Sequence, residues 1–73
     1  NFRLSRLHYE LCSVLEPDFP DTYFNLGLVL ALTREFDLAR DSILRYKSLV
    51  PEQDRVKADD LLASLQPTAT AQT

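Results

Sequence analysis

One cysteine, one histidine, one glycine, and neither tryptophan nor methionine: these scarcities bound the 73-residue chain before any pattern is read. A single thiol, Cys12, excludes an internal disulfide. Cys12 and His8 together supply half of a zinc site, so no metal and no cofactor is expected. Gly27 stands alone, which leaves no glycine-rich loop to cradle a phosphate. No apolar run approaches the length of a bilayer span and no signal-peptide pattern is visible, so no membrane span is expected. Eight Lys and Arg against eleven Asp and Glu give a net charge of −3, which argues against a nucleic-acid partner because phosphate binding wants a basic patch. Catalysis needs a nucleophile with its base, a metal, or two tuned acids. The nearest approach is Cys12 with His8, one helical turn apart; Cys12 is expected in a small buried packing position and His8 at a helix edge, so the chain is not expected to be an enzyme.

What is present is a globular mix, 45% hydrophobic and 26% charged. The length suits one domain. So short a chain keeps much of its surface exposed, and with no disulfide or metal to staple it, its stability must come from efficient helix packing, self-association or a longer parent chain.

Prolines at positions 17, 20, 51 and 67 punctuate the sequence, and between them apolar residues recur at helical spacing. The pattern predicts an all-α fold of about four helices. The first runs from Phe2 to Leu15 and carries two apolar stripes, Leu4, Leu7, Leu11 and Val14 on one side and Phe2, Tyr9, Cys12 and Leu15 on another. The second, from Phe19 to Thr33, is largely apolar, with Asp18 as the expected N-cap and Pro20 tolerated in its first turn. Thr33-Arg34-Glu35 is a joint short enough to force an antiparallel hairpin. The third helix, Phe36 to Leu49, presents Phe36, Ala39, Ile43, Tyr46 and Val50 on one face, while Arg40, Asp41, Arg45 and Lys47 are expected in solvent, as are Glu35 and Asp37 at the helix end. The fourth starts near Pro51, which fits the first helical position, and ends before Pro67, with Ala58, Leu61, Leu62 and Leu65 apolar and Arg55, Lys57, Asp59 and Asp60 polar. One apolar and one wet face suits a terminal cap. Residues 68–73 have no core-forming pattern and are expected to be disordered.

The stretch from Tyr23 to Pro51 resembles a tetratricopeptide repeat, a 34-residue helix–turn–helix unit. Tyr23, Leu26-Gly27, Leu30, Ala39, Ile43 (where the family prefers an aromatic) and Pro51 follow its signature without insertion or gap. Gly27 and Ala39 are small so that two antiparallel helices can approach; Tyr23, Leu26 and Leu30 fill the space within the pair, and Ile43 and Tyr46 face the next helix. Two departures stand out: Tyr46 replaces the family's usual Ala, and Arg34 occupies a turn position where Gly is common. Pro17 and Pro51 lie one 34-residue period apart. One period before Phe36, Ala39, Ile43 and Tyr46 stand Phe2, Ser5, Tyr9 and Cys12, the same order of aromatic and small residues. The resemblance therefore implies the second helix of a partial repeat over 1–17, a complete repeat over 18–51 and a capping helix over 52–66.

The resemblance also implies a concave groove lined by the first helix of each pair, here Asp21, Phe24, Asn25, Leu28 and Leu32, in which a protein or peptide partner lies. Asn25 is similar to the groove Asn that binds peptide backbone in many members. The carboxylate clamp of one family subset needs groove Lys and Arg, which these residues do not supply; an amphipathic helix suits them better. The alternative is structural: Leu4, Leu7, Leu11 and Val14 lack a covering helix in the chain, which predicts a homodimer through the first helix if the chain is whole and contact with a preceding helix if it is a fragment.

Overall fold

The computed structural model describes residues 1–65, and the expected tail over 68–73 and the last expected residue of the fourth helix lie outside it. Among the described residues the chain is all helical: α1 (Phe2–Leu15), α2 (Pro20–Leu32), α3 (Phe36–Leu49) and α4 (Glu52–Ser64). Each packs chiefly on its chain neighbours, and the α2–α3 hairpin is the most extensive pairing.

Two helix starts differ from expectation. Asp18 does not cap α2; Phe19 is the N-cap, with no side-chain hydrogen bond, and Pro20 opens the helix. The Asp18 carboxylate is turned to Arg45 of α3, 3.7 Å away. With Pro20 as the first helical residue no donor is lost there, so the start tolerates an apolar cap. Pro51 likewise sits one position earlier than expected, as the N-cap of α4 with extended ψ of 163°, and Glu52 begins the helix.

The core lies between α2, α3 and α4. Leu26 and Leu30 of α2, Ala39 of α3 and Leu65 beyond α4 form one buried cluster, with Tyr9 of α1 packed against it. Ile43, Tyr46 and Val50 of α3 form another with Ala58 of α4. Ile43 reaches both ways: it belongs to the cluster with Ala58, and it also covers Gly27 of α2. A Cβ built on Gly27 would lie 2.7 Å from Ile43 Cγ1, so the absence of a side chain at 27 is what lets the two helices close.

The turn between α2 and α3 ends the helix with a left-handed residue. Arg34 has φ of 65°. Its N–H donates to the Ala31 carbonyl at 3.0 Å and the Glu35 N–H to the Leu30 carbonyl at 2.8 Å. This is the paired arrangement that satisfies the last carbonyls of a helix, and it usually employs glycine because a Cβ is strained there. Of the two positions that depart from the repeat pattern, Arg34 is therefore the one whose backbone favours glycine.

α1 is different in kind. None of its residues is buried. Of its second stripe, Tyr9 and Cys12 are half-buried against the rest of the fold, but Phe2 and Leu15 are exposed, and Cys12 is thus less enclosed than expected. The helix is instead closed locally: the Asn1 side chain accepts from the Arg3 N–H at 2.9 Å and the Leu4 N–H at 3.3 Å.

Candidate interaction surfaces

Two outward faces carry the expected site residues. The first is on α2. Its inner face, Thr22, Leu26, Val29 and Leu30, is buried, and the helical period turns Asp21, Asn25, Leu28 and Leu32 the other way. Asp21, Leu28 and Leu32 are exposed and Asn25 is half-buried. Leu32 is 63% exposed, so its side chain contributes little to the fold.

Phe24 is placed differently from these four. It is half-buried, its ring 5.0 Å from that of Tyr46 at 58°. The Lys57 amine of α4 stands 4.7 Å above the Phe24 ring and 5.6 Å from that of Tyr46. A cation over an aromatic face is attractive, so α4 brings both packing and a positive charge to this edge of α2. Lys47 of α3 fixes the same helix by an ion pair of 2.7 Å with Asp59.

The second face is on α1. Leu4, Leu7, Leu11 and Val14 are 61, 62, 57 and 75% exposed. They lie about half a turn from Ser5, Tyr9 and Cys12, the side of α1 that is half-buried against the rest of the fold. At the margin His8 Nε2 lies 3.6 Å from Cys12 Sγ, with His8 exposed and Cys12 half-buried. Among the described residues no group of three His, Cys, Asp or Glu is arranged to hold a metal.

What fixes α1 to the hairpin includes a contact that sequence reasoning missed. Arg6 donates from Nη1 to Glu35 Oε1 at 2.7 Å and from Nε to Glu10 at 3.0 Å. The other Glu35 oxygen accepts from the Thr33 hydroxyl at 2.8 Å. Glu35 is thus a junction between the α2–α3 turn and α1 rather than a charge left in solvent. The Thr33 hydroxyl first, and Arg6 second, hold its carboxyl below the usual glutamate range. Glu10 and then Glu35 raise the Arg6 guanidinium further above its already high range. At the opposite end Tyr23 Oη donates to the Pro17 carbonyl at 2.7 Å, with Arg45 5.6 Å above the same ring.

A cleft of about 270 Å³ is lined by Arg34, Phe36, Asp37, Arg40 and Leu65, none of which belongs to either face. Asp37 is 3.5 Å from Arg40 and balances its charge. Among the described residues no helix is long and apolar enough to cross a membrane. No family model, curated protein or solved structure matches the chain.

Proposed function

We propose that this chain is a protein-interaction module of the tetratricopeptide-repeat type, an adaptor or scaffold rather than an enzyme. On this view α1 is the second helix of a partial repeat, α2 and α3 make a complete repeat, and α4 is the cap. Support for the family comes from the hairpin: Ile43 seated over Gly27, Ala39 fully buried, and a left-handed residue at the turn where the family often has glycine. The pair His8 and Cys12 is assigned no catalytic role.

The observation that carries the binding role is the outer face of α2. Leu28 and Leu32 are exposed on a helix whose other face builds the core, and Asp21 and Asn25 flank them. Such a face suits an amphipathic helix with leucines three and four residues apart and basic flanks toward Asp21. The test is a fluorescence-anisotropy titration of labelled peptides of that pattern. Binding in the micromolar range is expected, with Leu28→Asp and Leu32→Asp each weakening it about 10-fold or more while far-UV circular dichroism is unchanged. Failure of every such peptide to bind, or binding indifferent to both substitutions, would dismiss the α2 face.

A further inference from the structure

We propose that α1 pairs with α1 of a second copy of this chain, antiparallel, about a two-fold axis level with Tyr9. The proposal is independent of the α2 face and is argued from three properties of the α1 face.

The first is spacing. Leu4, Leu7, Leu11 and Val14 follow one another at steps of three, four and three residues. This is the a/d seam of a helix pair. It also reads the same reversed. Turned end for end, the stripe lays Leu7 opposite Leu11 of the second copy and Leu4 opposite Val14, giving four apolar layers with no mismatch. A two-fold interface requires a surface complementary to itself, and a palindromic stripe meets that requirement.

The second is charge. The N-terminal half of α1 carries Arg3, Arg6 and His8, whereas Glu10, Glu16 and Asp18 lie toward and just past its C-terminal end. Arg6 already pairs with Glu10 and Glu35, and Asp18 with Arg45. Arg3 and Glu16 are exposed at opposite ends. A parallel pair would set each end beside its like. An antiparallel pair sets the Arg3 end beside the Glu16 end and opposes the two helix dipoles.

The third is size. Fourteen residues make a helix about 21 Å long. A seam of that length falls at or below the small end of specific interfaces, so the dimer is weak, with Kd of about 10–500 µM. The leucines are already exposed in the single copy, so charging them removes association without removing the fold.

The test is sedimentation equilibrium of the chain from about 10 µM to about 1 mM. A concentration-dependent dimer is expected. Leu7→Glu and Leu11→Glu should each raise Kd about 10-fold or more with far-UV circular dichroism unchanged, whereas Leu28→Asp should leave Kd as it was. Direction is read by cross-linking in a Cys12→Ser background. Singly substituted Leu4→Cys and Val14→Cys chains, mixed and oxidised, should join chiefly to each other rather than each to itself. That arm does not depend on the charged variants folding. A monomer throughout the range, a dimer indifferent to both glutamate substitutions, or a predominance of self-joined Leu4→Cys chains would each overturn the proposal.

Discussion

α1 and α3 are both fourteen residues long, and both carry an apolar stripe, yet they are held by different physics. α3 buries Ala39, Ser42, Ile43 and Tyr46, whereas α1 buries nothing. Conversely, α1 alone among the four helices has a side-chain N-cap, from Asn1; an ion pair and a serine hydroxyl donating to a carbonyl occur within both helices, Arg6–Glu10 and Ser13 to Glu10 in α1, Arg40–Asp37 and Ser48 to Arg45 in α3. α3 has no side-chain cap at all. Local closure therefore makes α1 a helix, and burial makes α3 one. Removing a side chain should expose the difference, because an apolar residue contributes to stability in proportion to the area it takes from water.

The strongest way to break the comparison is to cut an aliphatic side chain from each helix. Ile43 is fully buried and sits over Gly27, so Ile43→Ala loses its transfer energy and leaves a cavity, about 3–4 kcal/mol in all. A chain of this size has only about 4–10 kcal/mol of stability, so the variant should lose about a third or more of it. Leu11 is more than half exposed, and Leu11→Ala should lower stability by about 0.5 kcal/mol or less. Urea titration at low protein concentration, where any association through α1 is absent, measures both. Similar losses at the two positions would mean that the α1 face is not free in solution.

The same contrast separates what was legible in the sequence from what was not. Helix periodicity is written in residues three and four apart, so the bounds of α1 and α3 are read directly, as are the buried Leu26, Leu30, Ala39 and Ala58. Asp18 is a good cap by type, yet the helix begins one residue later, with Phe19 as its cap and Pro20 first, and the exposed Asp18 carboxylate stands 3.7 Å from Arg45. Nor does any local window contain the contact of Arg6 with Glu35, which are 29 residues apart. Phe24 is similar: its exposure depends on how closely Tyr46 and Lys57 approach, and that is set by α3 and α4. Of the candidate surfaces, helical period alone turns Leu28, Leu32 and the α1 stripe away from the buried positions, but whether α4 covers Phe24, Leu28 and Leu32 is decided by packing: it reaches Phe24 and leaves Leu28 and Leu32 exposed.

A smaller effect concerns the turn between α2 and α3. Arg34 holds a φ of 65°, a conformation that strains any residue with a Cβ. Arg34→Gly relieves that strain but adds freedom to the unfolded chain, and the net gain should be about 0.5–1 kcal/mol. Arg34→Ala keeps the Cβ and should gain nothing. Thermal melts of the three proteins distinguish the causes. An equal gain in both variants would trace the effect to removal of the Arg34 charge, and a loss in Arg34→Gly would show that its side chain matters more than its backbone.

The smallest expected effect falls on the attachment of α1, and its sign follows from Glu35. The Thr33 hydroxyl and Arg6 lower the carboxyl's pKa in the folded chain. The folded state therefore favours the ionised form, so the contribution is complete above the ordinary glutamate range and is lost as pH falls through the folded value. Arg6 is shifted the other way, upward, so its contribution is present throughout the working range and lost only at extreme alkalinity. Both side chains are about one-third exposed, so solvent screening keeps the effect modest. Thermal midpoints of the parent chain and Glu35→Gln, followed from neutral pH into acid, should differ most at neutrality and converge at low pH, because protonation and the amide remove the same charge. Hydrogen exchange should localise the difference to α1 amides, with those of α3 protected equally in both proteins. If the two pH profiles run parallel, or if α3 loosens as much as α1, then the carboxylate is not what ties the locally closed helix to the buried one.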